Sequence, residues 1–152
     1  MTRTRQSAVL TLAVTTALAA SAGAASQPKP ISGSTTMSGA YGVSLLKPPS
    51  SIPCSALQKS QGGNGRYNVV LGAKYGSKSS QAGSVEAVLI SGPGTTTPTY
   101  LKRPSNTSGW RYGNMPVSKC GGQKYTVRYL VTKKNDEGAD KRFSVSFTIT
   151  GS

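Results

Sequence analysis

The sequence predicts an all-β fold: a small antiparallel β-sandwich of immunoglobulin-like architecture, with about seven strands and one disulfide. Three observations carry this. Two C-terminal segments alternate apolar and polar residues, with Tyr125, Val127, Tyr129 and Val131 on one face and Phe143, Val145, Phe147 and Ile149 on another, which is the period of a half-buried strand. Short β-prone runs recur between Gly, Pro, Ser and Asn along the rest of the chain, and helical periodicity is nearly absent. The chain also has two cysteines, Cys54 and Cys120.

Residues 1–24 have the make-up of a secretory signal peptide. Arg3 and Arg5 precede an uncharged apolar run, and Ala22, Gly23 and Ala24 supply the small residues of a cleavage site, cut after Ala24 or one residue later. The run is too short to span a bilayer, and no second apolar stretch follows it. The expectation is a secreted or periplasmic protein with no transmembrane segment. Residues 25–39 contain Pro28, Pro30 and many Ser, Thr and Gly, and are expected to form a flexible lead-in, with the option that the chain from Ile31 pairs as an edge strand. A single β-sandwich domain then occupies residues 40–152.

Within that domain Tyr41, Val43 and Leu45 alternate in a weak strand, loosened by Gly39 and Gly42 and stopped by Pro48 and Pro49. Around Cys54 the chain offers one or two helical turns, with Pro53 near their start. The Gly-rich loop at 61–65 leads into a strand with Tyr67, Val69, Leu71, Ala73 and Tyr75 on one face. It therefore lacks the following helix that phosphate cradling requires. Residues 85–91 are apolar on both faces apart from Glu86, as in a strand near the middle of a fold.

A low-complexity loop at 91–99 follows. Residues 100–103 and 110–112 then form two short strands, expected to be neighbours. Between them Asn106, Thr107 and Ser108 make a formal glycosylation sequon that reads as a turn in a bacterial host. Residues 114–122 lead through Pro116 and Cys120 to the closing hairpin, whose turn is the cluster Asn135, Asp136, Glu137 and Gly138. Cys120 precedes its strand and Trp110 stands near the second cysteine rather than the first, so the architecture is predicted and the immunoglobulin family is not.

In an exported chain an even cysteine count favours a disulfide over a metal site, and the sequence has no His to complete a zinc set. The Cys54–Cys120 bond would close a loop of roughly 66 residues, for which chain entropy gives an upper value of about 4 kcal/mol. No cofactor is expected.

Charge bounds the function. The sequence has 18 Lys plus Arg against four acids, for a net +14, and +12 once Arg3 and Arg5 are removed with the signal segment. Three of the four acids, Asp136, Glu137 and Asp140, fall at the tip of the last hairpin, and the fourth, Glu86, stands alone on a strand. Such an excess attracts polyanions; the plainer alternative is that it only confers solubility.

The catalytic inventory is thin, and no enzyme is expected. Without His there is no Ser/His/Asp or Cys/His constellation, and bonded cysteines leave no thiolate. Ser44 and Lys47 match the spacing of a Ser/Lys acylation motif, but its companion motifs are absent. An enzymatic reading would require the fold to bring Glu86 beside another acid or a lysine in a pocket.

Binding is less constrained. Tyr100, Lys102 and Arg103 interleave aromatic and cationic side chains, as do Trp110, Arg111 and Tyr112, a combination that suits a sugar polymer or a single-stranded nucleic acid. The competing reading places Trp110 and Tyr112 in the core. Lys102, Arg103, Arg111, Lys124 and Arg128 are the expected ligand contacts. The expected partner is a polyanion, whether anionic glycan, cell-envelope polymer or nucleic acid. The alternative is a structural or interaction module, a surface-fibre subunit or an inhibitor of another exported protein, acting through sheet edges.

Overall fold

A computed structural model describes residues 27–59, 66–94, 96–103 and 109–151. The expected signal segment, the Gly-rich loop at 61–65 and the sequon at 106–108 lie outside them. The described chain forms two β-sheets packed face to face and one disulfide, with the second sheet strongly curled.

Ten strands occur in the order β1 (Thr35–Ser38), β2 (Val43–Lys47), β3 (Ser51–Pro53), β4 (Gln58–Lys59), β5 (Tyr67–Tyr75), β6 (Ala82–Ser91), β7 (Thr99–Leu101), β8 (Gly109–Val117), β9 (Gln123–Lys133) and β10 (Asp136–Thr150). Sheet A has the order β1-β2-β5-β8, with β4 beside the start of β5, and sheet B has the order β3-β10-β9-β6-β7. The seven expected strands are β2 and β5 to β10. The short β1, β3 and β4 are additions at the edges. Chain crossings between sheets after β2, β3, β5, β7 and β8 give the sandwich its immunoglobulin-like character.

Side-chain alternation sets the register. Leu45, Val69, Leu71 and Tyr75 of sheet A face Val85, Tyr125, Val127, Tyr129, Phe147 and Ile149 of sheet B, and all of them are buried. The closing hairpin pairs Val145 with Val127 and Phe147 with Tyr125, and the latter two rings stack 5.6 Å apart. Buried tyrosines then tie one layer to the other. Tyr129 on β9 donates to the Leu46 carbonyl at 2.7 Å, Tyr75 on β5 donates to the carbonyl of Leu101, and Tyr41 before β2 donates to the carbonyl of Ala139 in β10.

Several sequence-based expectations are corrected. Pro48 and Pro49 do end β2, but the chain then changes layers, and β3 runs parallel to the end of β10. The expected helical turns shrink to a single 3-10 turn at Cys54–Ala56. Part of the expected flexible lead-in is strand β1, paired antiparallel with β2, and Ile31 is buried in the core. The strand expected at 110–112 is nine residues long, running through Pro116. Pro116 is tolerated because its missing N–H lies on the side of β8 away from β5, where the strand meets only an isolated bridge between Val117 and Gly94.

The disulfide joins the turn after β3 to the connection between β8 and β9, with Cα atoms 5.7 Å apart. It thus ties one connection to another, as the cysteine positions predict.

Candidate polyanion-binding face

The outer face of sheet B follows from the same alternation that fills its inner face. On β9, inward Tyr125, Val127 and Tyr129 leave Lys124, Thr126, Arg128 and Leu130 pointing out; on β10, inward Phe143 and Val145 leave Arg142, Ser144 and Ser146. The registers align these into rows across the strands. One row runs Tyr100, Glu86, Leu130, Arg142, and the next runs Val88, Arg128, Ser144. Lys124 lies opposite Thr148. Lys124 and Arg128 are separated along one strand by roughly 13 Å, and Arg142 is a diagonal neighbour of Arg128 at roughly 7–8 Å.

Lys124, Arg128 and Arg142 are all exposed, and the one ion pair among the described residues lies elsewhere, between Lys133 and Asp136 at 3.2 Å. Among the described residues, the two large apolar side chains that stand most exposed are on this face, Ile90 at 47% and Tyr100 at 57%. Arg128 and Lys124 on β9 thus flank one side of the apolar Val88 and Ile90 on β6, Arg142 lies one strand further on β10, and Tyr100 stands on the other side on β7, next to Glu86.

The five expected contact residues do not share one surface. Lys124 and Arg128 lie together on this face. Lys102 is exposed one residue beyond β7, at the end of the face nearest the hairpin tip. Arg103 turns away and donates to the Ser79 carbonyl at 2.7 Å, holding the turn between β5 and β6. Arg111 belongs to sheet A, opposite Ala73, and is half-buried. Arg142, which the expectation omitted, belongs with Lys124 and Arg128. The in–out alternation around Phe143 was the signal for it.

Segments 100–103 and 110–112 are not neighbouring ladder strands. β7 pairs with β6 in sheet B and β8 with β5 in sheet A; they meet across the layers, where the Thr99 hydroxyl reaches the Asn114 carbonyl and the Thr99 and Leu101 side chains lie over Gly113. Nor are Trp110 and Tyr112 core residues. They are half-buried on the outer face of sheet A, rings parallel within 8° and 5.5 Å apart. Tyr112 lies over Gly72, where a Cβ would come within 2.7 Å of its ring. The inward positions of β8 go instead to Arg111, Gly113, Met115 and Val117.

All four acids of the sequence line one open groove of about 790 Å³ beside the hairpin tip, together with Lys133 and Lys134. Glu86 therefore does share a depression with other acids and lysines, which is the arrangement an enzymatic reading requires. Two of those acids are already engaged: Asp136 pairs with Lys133, and Asp140 accepts from the Lys133 backbone N–H at 3.3 Å. No group of three or more His, Cys, Asp or Glu among the described residues is arranged to hold a metal. Ser44 and Lys47 lie on one strand three residues apart, so they point to opposite faces and do not assemble a Ser/Lys pair.

The charge of the molecule is consequently polar. The hairpin-tip end gathers the four acids with Lys133 and Lys134; Glu86 reaches furthest along sheet B, as a diagonal neighbour of Arg128 on the side away from Arg142, and beyond it Lys124 stands without an acid opposite. No protein-family model, curated protein or solved structure matches this chain. No helix among the described residues is long and apolar enough to cross a membrane.

Proposed function

We propose that this protein is an exported, non-catalytic binding domain that engages a polyanion through the outer face of sheet B. The polyanion would be an anionic glycan, a cell-envelope polymer or a nucleic acid. The observation that carries this reading is the open cluster of Lys124, Arg128 and Arg142 beside exposed Tyr100 and Ile90. Spaced cations neutralise a linear run of anions, and an adjacent aromatic ring offers a stacking surface to sugars or bases.

Binding to heparin or single-stranded DNA, followed by fluorescence at several salt concentrations, tests the reading. Affinity falls steeply with salt as counterions are released. Replacing Arg128 by Ala lowers the slope of log K against log salt by roughly 1, while Lys59→Ala, well away from this face, leaves it unchanged. Equal losses from both variants, or no salt dependence, contradict the proposal. The engaged tip acids favour a non-catalytic role, and Glu86→Gln is expected to leave binding intact.

A second reading, a structural or interaction module acting through a sheet edge, is favoured by β1. It is the terminal strand of sheet A, carries no charged residue and pairs on one side only among the described residues, so it lacks the usual devices that block edge pairing. Light scattering during size-exclusion chromatography separates the two, since a fibre subunit forms open-ended oligomers that grow with concentration, whereas the first reading predicts no such growth without polyanion.

A further inference from the structure

Residues 27–38 form an arm that runs from one edge of sheet A to the other. Its near end is at one edge of the sheet, where the Gln27 side chain accepts the Tyr112 N–H of β8 at 3.1 Å. Its far end is β1, at the opposite edge, eight residues later. Between them Ile31 enters the core, and Leu46 and Val70, which alternate onto the outer face of the sheet, are only 5% and 3% exposed.

We propose that this arm is exchanged between two copies of the chain, each laying residues 27–38 on the other. Exchange remakes the same contacts in trans: the β1–β2 register, the Ile31 site and the Gln27 bond. The closed and exchanged forms then differ only at the hinge and in what lies between copies.

The hinge is where the closed form is strained. Val43 N–H donates to the Ala40 carbonyl at 3.0 Å, closing a turn in which Tyr41 has φ 54° and Gly42 φ 73°. Two left-handed residues in succession suit Asn or Gly, and a tyrosine at the first is costly. A Cβ at Gly42 would lie 2.5 Å from the Lys78 carbonyl, so the turn is also confined from outside. Opening the hinge into an extended connection relieves the Tyr41 backbone, and gives up the bond from its hydroxyl to the Ala139 carbonyl.

The seam is also electrically silent. Between Lys29 and Lys47 the sequence has no charged side chain, in a chain of net charge +14. Two strongly cationic copies repel across most of their surface, and an uncharged seam lets them approach. Salt therefore favours the exchanged dimer by screening that repulsion, the opposite of its effect on polyanion binding. The two proposals stand or fall separately.

Thr35 and Lys47 are register partners across β1 and β2. Full chains carrying Thr35→Cys alone and Lys47→Cys alone are unfolded together, refolded at high concentration and oxidised, and the linked peptides are identified by mass spectrometry. Exchange brings the two thiols together at high effective concentration, so links between position 35 of one copy and 47 of the other exceed like-with-like links roughly tenfold. Parity among the three kinds overturns the proposal, as does a predominance of 35–35 links, which marks edge-to-edge pairing without exchange.

The hinge gives an independent readout in light scattering. Measured against Tyr41→Phe, which also lacks the Ala139 bond, Tyr41→Gly relaxes the closed turn and lowers the dimerisation constant roughly five- to tenfold, and Gly42→Ala raises that of the native chain by a similar factor. Unchanged constants contradict the strain argument. If Gly42→Ala does not fold, Tyr41→Gly and the cross-link decide.

Discussion

Tyr129 lies wholly inside the sandwich, yet it carries a hydroxyl, and that hydroxyl donates to the Leu46 carbonyl on the opposite sheet. The alternation of the strand announces an inward ring and is silent about where its oxygen finds a partner. Tyr75 likewise bonds across the layers, to the Leu101 carbonyl, whereas Tyr125 finds the Lys119 carbonyl six residues away. Tyr129→Phe keeps the ring and removes the bond. It is expected to cost about 1–2 kcal/mol in urea denaturation, with the m-value unchanged.

Burial also pushes the Tyr75 hydroxyl pKa up to about 12, and that of Tyr129 further in the same direction. The unfolded chain releases both protons near pH 10, whereas the folded chain retains them. Above pH 10 the folded state therefore binds more protons, and stability falls as pH rises; below pH 10 neither group contributes a slope. Melting temperature should drop more steeply between pH 10 and 12 in the native protein than in Tyr129→Phe. Identical slopes would mean that the Tyr129 hydroxyl ionises as freely in the fold as outside it.

Among the elements, the most legible in sequence are β5, β9 and β10, where an uninterrupted period of two leaves little choice of face. β8 is the least legible. Its inward positions include Arg111 and Gly113, so hydrophobicity does not mark the inner face, and its large rings Trp110 and Tyr112 point outward over Gly72. Pairing with β5 overrides the local pattern: opposite Val69 and Tyr67, the inward residues of β8 are Met115 and Val117. β1 was legible only as an option, because a four-residue strand of Thr, Met and Ser has almost no pattern.

Of the candidate site, Lys124 and Arg128 could be placed from alternation alone. Arg103 could not, because its bond to Ser79 depends on how the β5–β6 turn meets the end of β7. The disulfide belongs at this scale as well, since it joins elements from the two halves of the chain across a separation of 66 residues. Replacing both Cys54 and Cys120 by Ser is expected to cost up to about 4 kcal/mol, and equal stability of the reduced and oxidised native protein would contradict it.

For the whole molecule, the decisive feature is the uneven distribution of a small number of acids. Four carboxylates around one groove leave the rest of a +14 chain without compensation, and the far half of sheet B presents that excess on an open surface beside exposed aromatic and aliphatic side chains. Net charge alone fits plain solubility equally well; the proposal rests instead on the grouping of Lys124, Arg128 and Arg142 on one open face that also carries Ile90 and Tyr100. The most direct test is to titrate isotope-labelled protein with a heparin oligosaccharide at moderate salt and map the amide shifts. The account predicts saturable shifts concentrated on residues 88–90, 124–128 and 142–146. Small, unsaturable shifts scattered over lysines of both sheets would contradict it.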